Sequence, residues 1–302
     1  MRFSWLNIGY AFSDTSVLPL LHWLGVYSMG AVAAAMAVTI SCLPPGRAAL
    51  FAAGSGFLFA LLAFFAVHLA SNKPVTGKIP AQVAGVQMEF PSESEVLASL
   101  DRLIRAQPEA KLLMLSEYTF DGPVPDKVKL WCHEHKIYLV AGGKAPAPDS
   151  NFYDTAYVIG PNGNVVFQQG KSVPIQFFKD GLPAKEQRLW DSPWGKIGIC
   201  ICYDLSYTRV TDRLVRLGAQ AILVPTMDVI DWGVHQHELH ARVAPTRAAE
   251  YGIPIFRVAS SGISQLVDRT GHVSALAKTP GEGQTVSGSL ILGKPGSLPL
   301  DR

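Results

Sequence analysis

Lys196-Ile-Gly-Ile-Cys-Ile-Cys202-Tyr-Asp-Leu205 is the stretch that decides the fold. Its apolar run reads as a buried strand, and the polar residues after Cys202 mark the strand's carboxyl end, where α/β proteins place their chemistry. A thiol at that exit is a candidate nucleophile. Cys200, inside the strand, reads instead as a small core hydrophobe. Two more reactive groups occupy the same kind of position: Glu117 after Lys111-Leu-Leu-Met-Leu-Ser116, and Lys171 after Val165-Val-Phe-Gln-Gln-Gly170. Together they form an amide-cleaving set, in which the carboxylate takes the thiol proton, the thiolate attacks a carbonyl and the ammonium stabilises the oxyanion. Buried side by side, Glu117 favours the Lys171 ammonium and Lys171 favours the Cys202 thiolate.

Outward from these exits, strand and helix signals alternate. Gln82 to Met88 reads as a strand. Ser92 and Glu95 form a capping box before a helix that presents Val96, Leu97, Leu100, Leu103 and Ile104 on one face. Lys111 to Ser116 and Ile137 to Ala141 read as strands around a helix over Pro125 to Lys136. Asp154 to Ile159 and Asn164 to Gln168 flank the hairpin signal Gly160-Pro-Asn-Gly163, and Leu189 to Lys196 reads as another tight reversal. After Cys202 a helix over Thr208 to Leu217 stops at Gly218, and Ala221 to Val224 is again a strand.

The first seventy residues are different. Only 17% of the 302 residues are charged, and the apolar excess lies before residue 71. Val17 to Ile40 and Ala48 to Ala70 carry almost no formal charge and are long enough as helices to cross a hydrocarbon core of ~30 Å, with Pro44-Pro45-Gly46 as the turn between them. Residues 71–80 read as a linker. Arg2, Arg47, Lys73 and Lys78 are too few to set orientation by the positive-inside rule. A net charge of +2 without a basic run excludes a nucleic-acid partner.

The Glu117, Lys171, Cys202 order, with Ser-Glu-Tyr around the acid and Tyr-Asp-Leu after the cysteine, resembles the nitrilase or carbon-nitrogen hydrolase superfamily. Gln236-His237, Arg247-Ala-Ala-Glu250, Ser261-Gly-Ile-Ser264 and Asp268-Arg-Thr-Gly271 are similar to its membrane-bound branch, the apolipoprotein N-acyltransferases. So are Trp5-Leu-Asn-Ile-Gly-Tyr10 and Leu24-Gly-Val-Tyr27. The resemblance implies an α/β fold, a nitrilase-like αββα four-layer sandwich over residues 81–295, preceded by two transmembrane helices (17–40, 48–70) and followed by a tail, 296–302. It implies N-acyl transfer from a phospholipid donor, through a Cys202 thioester, to a lipoprotein N-terminus, without a cofactor. The place would be the bacterial inner membrane, multi-pass, with a periplasmic catalytic domain and further membrane helices outside this stretch. A tethered amidase releasing free acid, favoured by Asp204 in Cys-Tyr-Asp-Leu, is the alternative; an inactive binding module is a third.

One departure stands out. The family places a second glutamate eight residues after the lysine; here Lys179 is at that position, with Asp180 beside it as the substitute. Tyr203 is expected to supply an oxyanion N–H and Asp204 to support the site from behind the reacting groups, and Ile230 and Trp232 lie in the loop expected to touch an acyl chain. Neither His235, His237 and His240 nor Cys132-His133-Glu134-His135 has the spacing of a zinc helix; the second run reads as partly solvated surface. The four cysteines form no disulfide framework.

Overall fold

A computed structural model describes residues 7–14, 17–71, 79–176, 178–281 and 283–302, without the side chains of 59–60, 63–71 and 79. Trp5 and Leu6, and most of the expected linker (72–78), lie outside the described residues. The elements are α1 (Leu21–Cys42), α2 (Pro45–Ser71), β1 (Ile79–Val86), α3 (Glu93–Ala106), β2 (Leu112–Met114), α4 (Asp126–His135), β3 (Tyr138–Pro146), β4 (Phe152–Ile159) and β5 (Val165–Gly170). There follow β6 (Leu189–Ser192), β7 (Gly195–Ile199), α5 (Thr208–Arg216), β8 (Ala221–Thr226), α6 (Val234–Ala241), α7 (Val243–Tyr251), β9 (Ile255–Ala259), β10 (Ser264–Val267), β11 (Val273–Ala277) and β12 (Thr285–Leu292). β1 begins inside the stretch read as a linker.

Two six-stranded sheets run in the orders β12-β1-β2-β3-β4-β5 and β11-β10-β9-β8-β7-β6. Each has a parallel centre, β1-β2-β3 and β7-β8-β9. Strand β2 shows why its sequence is apolar throughout. Leu112 and Met114 join the core shared with the second sheet, whereas Leu113 joins Val96, Leu100 and Val128 of α3 and α4 on the outer face. The capping box that opens α3 is formed, with the Ser92 amide 2.7 Å from Glu95 Oε2. On the second sheet Leu214 of α5 packs against Gly198 of β7. The result is the four-layer α/β sandwich expected from the sequence. Cys132 is buried beside Trp131, so only His133, Glu134 and His135 of that run are exposed.

The N-terminal region departs from a plain helical pair. Residues Leu18–Leu20 form a 3₁₀ turn, and α1 breaks at Gly25 (φ 79°, ψ 166°). Any side chain at Gly25 would strike the Asp301 carboxylate, so the break requires glycine twice over. Leu20, Leu21, Val26 and Met29 are buried in the core of the catalytic unit. Leu18–Cys42 is long and apolar enough to cross a membrane, with a mean hydropathy of 1.6, and it alone meets that test among the described residues. The part after the break, 26–42, rises about 26 Å, the short end of a span.

Residues 296–302, expected as a tail, are tied into the fold. The Ser297 amide donates to Tyr251 O (3.1 Å) and Leu300 to Trp23 O (2.8 Å). Where α1 resumes after Gly25, its orphan amides meet carboxylates: Val26 donates to Glu250 Oε1 (2.9 Å), Tyr27 and Ser28 to Asp301 Oδ2 (3.0 and 3.1 Å). Arg302 pairs with Glu250 (2.5 Å) and Asp212 (3.2 Å), and the buried Arg247 pairs with the same Glu250.

Candidate active site

Strand β7 stops at Ile199, and Cys202 opens a 3₁₀ turn, Cys202–Ser206, with φ at 48°. A left-handed β-carbon residue costs about 1–3 kcal/mol, and its persistence here marks a backbone held in place by its surroundings. Asp204 supplies part of that hold. Its carboxylate accepts the amides of Ser172 (3.0 Å), Val173 (2.8 Å) and Ile201 (3.3 Å), binding the Cys202 turn to the loop after Lys171. Burial lifts its pKa to about 6 against those amides. Asp204 is thus a brace between two loops. Tyr203 is buried with its ring edge-on to Tyr207 at 4.8 Å, and its amide directly follows the thiol at the start of the turn.

Glu117 leaves β2 and is also set by a neighbouring turn. Gly142 of β3 lies so close that a Cβ there would sit 2.5 Å from Glu117 Cα, and Tyr118 follows with φ at 53°. Glu117 Oε1 accepts from Lys171 Nζ at 2.7 Å, and Oε2 accepts from the Met227 amide at 2.7 Å. The Cys202 thiol points to the carbonyl of the same Met227 (3.6 Å) and hydrogen-bonds Glu117. Acid, ammonium and thiol are therefore one buried cluster, each 2% exposed or less.

Lys171 meets three carboxylates: Glu117, Asp180 Oδ2 at 2.7 Å and Asp154 Oδ2 at 3.4 Å. Asp180 is buried and fixed by Tyr118 OH (2.6 Å) and the Ile175 amide (2.6 Å), while Lys179 is exposed. The one-residue shift at the departure from the family pattern thus brings a carboxylate to the lysine. Glu117, Asp154 and Asp180 oxygens lie within 4.8 Å of one another, a grouping that resembles a metal site, but the Lys171 ammonium already lies among them.

The electrostatics fit a proton-transfer pair. Burial raises the Glu117 carboxyl, yet Lys171 and the hydrogen bonds around it outweigh that and hold it below its usual range. Burial lowers Lys171, and the surrounding carboxylates more than reverse this, so it stays an ammonium. Burial first, then the Glu117 charge, push the Cys202 thiol well above its ordinary value despite Lys171. The sequence expectation that Lys171 favours the thiolate is outweighed at rest, where burial and the Glu117 charge keep the thiol protonated.

A cavity of about 390 Å³, within the usual range for ligand pockets, lies beside the cluster and meets it through Tyr118, Asp180 and Met227, with Phe90 and Phe178 also in its wall; Glu117, Lys171 and Cys202 do not line it. Ile230 and Trp232 form a 3₁₀ turn at its rim. Trp232 stacks on Phe178 at 5.8 Å, and the Ile230 amide donates to Glu89 (2.9 Å). Of these neighbours Phe178 lines the cavity, and Ile230 and Trp232 themselves do not. Beneath this turn, Asp228 holds His240 (2.7 Å) and Arg257 (2.5 Å), and His237 holds Val229 O (2.9 Å). Burial raises Asp228, but His240 and Arg257 bring it down to about 2. The histidine run therefore secures the loop, with His237 and His240 buried and His235 exposed. No local sequence pattern marks Met227 or the Asp228 network, whereas for Asp154 the signal is a lone aspartate inside the apolar strand β4, beside the strand that delivers Lys171.

The comparisons agree with this architecture. The chain is 24% identical to the apolipoprotein N-acyltransferase of Geobacter metallireducens, over 91% of this chain and 61% of that protein. It is 27% identical to the deaminated glutathione amidase of Dictyostelium discoideum, over 50% of this chain and 60% of that one. It therefore spans about three fifths of the length of these relatives. Among solved structures, Saccharomyces cerevisiae Nit3, a member of branch 10 of the nitrilase superfamily, aligns with a TM-score of 0.59 at 21% identity, over 70% of this chain and 90% of that chain. Residues 84–294 match the carbon-nitrogen hydrolase family, and the chain belongs to that family.

Proposed function

We propose that this protein is a membrane-tethered N-acyltransferase with Glu117, Lys171 and Cys202 as its catalytic residues. The observation that carries the reading is the joining of an apolar helix to the nucleophile's own turn. Arg247 donates to Leu205 O (3.2 Å) and Ser206 O (2.8 Å) of that turn and to Tyr10 OH (2.9 Å) of the N-terminal segment. It also pairs with Glu250, which caps α1. An enzyme with two lipid substrates gains local concentration from such a joint. In this reading α1 and α2 form a membrane hairpin of a multi-pass protein in the bacterial inner membrane, with the catalytic unit on the periplasmic side. The relative matched over 91% of the chain carries the acyltransferase name.

The steps follow from the cluster. Glu117 takes the Sγ proton as sulfur attacks the ester carbonyl of a phospholipid, and the carbonyl electrons move to oxygen, where Lys171 and the Tyr203 amide stabilise them. Collapse expels the lysophospholipid oxygen, which leaves with the proton held by Glu117, and a Cys202 thioester remains. The N-terminal amine of a diacylated lipoprotein then attacks the thioester. Glu117 takes the amine proton and returns it to the departing sulfur. Asp180 keeps Lys171 charged and oriented, and the Ile230–Trp232 turn borders the path of the acyl chain.

Release of free acid to water is the second reading, favoured by the amidase relative and by the Cys-Tyr-Asp-Leu motif. Protein in phospholipid vesicles with a diacylated lipopeptide bearing a free amine separates the two. N-acylated peptide matching the lysophospholipid formed supports transfer; fatty acid released with the peptide untouched overturns it.

A further inference from the structure

Asp154 is fully buried on β4, and neither of its carboxylate oxygens has a hydrogen-bond donor. The ionisable groups facing it are Glu117 after β2, Lys171 after β5, Asp180 in the next loop, and Tyr118, whose hydroxyl is given to Asp180. Lys171 has three N–H donors. Glu117 and Asp180 take two of them at 2.7 Å each; the third faces Asp154 across 3.4 Å. With all three carboxylates ionised, one ammonium would face three anions out of water, an arrangement that strongly disfavours itself.

We propose that Asp154 is a neutral carboxylic acid in the resting enzyme, and that this neutrality leaves the third N–H of Lys171 free for the oxyanion. Protonation gives one orphan oxygen a partner, since the acid O–H donates to the Glu117 carboxylate, and leaves the other 3.4 Å from Lys171 without closing on it. An ionised Asp154 would close on the ammonium as Glu117 and Asp180 do and occupy the donor that the reaction needs. Burial, then the Glu117 charge, push the Asp154 carboxyl well above its usual range, in the same direction. Asp154 touches no reacting atom. It is a positioning residue that acts through Glu117 and Lys171, and the inference rests on the oxyanion role given to Lys171 above.

The test uses the full chain in detergent and two readouts. The infrared difference spectrum of wild type minus Asp154→Asn at neutral pH should show the carbonyl band of a protonated carboxylic acid; its absence overturns the proposal. The second readout is the burst of nitrophenol as 4-nitrophenyl acetate acylates Cys202. Asp154→Asn, which keeps a neutral donor and acceptor, should retain the burst rate within about threefold, and Asp154→Ala should lose about tenfold or more. An Asp154→Asn enzyme as slow as Asp154→Ala overturns the proposal. Should the alanine variant fail to fold, the infrared band and the Asp154→Asn rate still decide. Neither readout requires phospholipid or a lipopeptide, so failure of acyl transfer between lipids would refute the proposed function and leave this test standing.

Discussion

The protein buries two ionic clusters, and they are resolved in opposite ways. Around Lys171 a single ammonium meets Glu117, Asp154, Asp180 and a thiol, with left-handed backbone at Tyr118 and Cys202 and orphan oxygens on Asp154. At the base of α1, Arg247 and Arg302 meet Glu250, Asp212 and Asp301, and the spare carboxylate capacity is taken by the amides of Val26, Tyr27 and Ser28. None of the charged side chains of this second cluster has an orphan buried atom among the described residues. Imbalance held in place by packing suits a site that must move protons; a saturated network suits a joint. The first should therefore answer to mutation in rate and the second in stability.

The largest effect expected is on rate. Glu117→Gln removes the proton acceptor and should slow thioester formation by about 10²–10⁴-fold, with only a small fall in the thermal midpoint, because the fold holds that carboxyl below its usual range and so favours its charge. Lys171→Arg should fail as well, since a planar guanidinium does not fit among three carboxylates set for an ammonium. Stopped-flow acylation together with thermal unfolding in detergent reads both quantities. A rate near wild type in either variant breaks the assignment.

Asp180→Asn comes next, with a loss of more than about tenfold in turnover. Lys179→Glu should be silent because Lys179 is exposed. If Lys179→Glu instead rescued Asp180→Asn, the loop would be shown to rearrange and the fixed place of Asp180 would be wrong.

The joint should behave in the reverse manner. Glu250→Gln breaks buried pairs with two arginines and should cost about 3–5 kcal/mol of stability, with the acylation rate per folded molecule within about twofold. A rate loss without a stability loss would place the joint inside the catalytic apparatus. Smallest is a pH effect at Asp228. Its carboxyl moves from an ordinary 3.8 to about 2 in the fold. The stability it contributes, about 2 kcal/mol, is therefore complete above about pH 5 and is lost as pH falls through 2. Thermal unfolding between about pH 5 and 2 should show a steeper acid limb in wild type than in Asp228→Asn.

The sequence disclosed the strand exits and what they deliver, because a short apolar run ended by a reactive residue is a local pattern. Glu117, Lys171 and Cys202 were readable for that reason, and Asp180 because its neighbour broke an expected spacing. Asp154 and Met227 were not: the first acts from within a strand, and the second through a backbone amide and carbonyl that any residue carries. The joint was half visible. Arg247-Ala-Ala-Glu250 is visible as a motif, but its partners lie at residues 10, 26 and 302, brought together only by tertiary packing. For the same reason residues 296–302 read as a tail, and the break at Gly25 was hidden in an unbroken apolar run.

The most direct measurement is peptide mass spectrometry of the protein after incubation with phospholipid vesicles, before and after addition of an amine acceptor. The expected result is an acyl adduct on Cys202, absent from the neighbouring Cys200 and lost when the amine is added, with the acyl group recovered as an amide. An adduct on Cys200, or full turnover by Cys202→Ala, would contradict it.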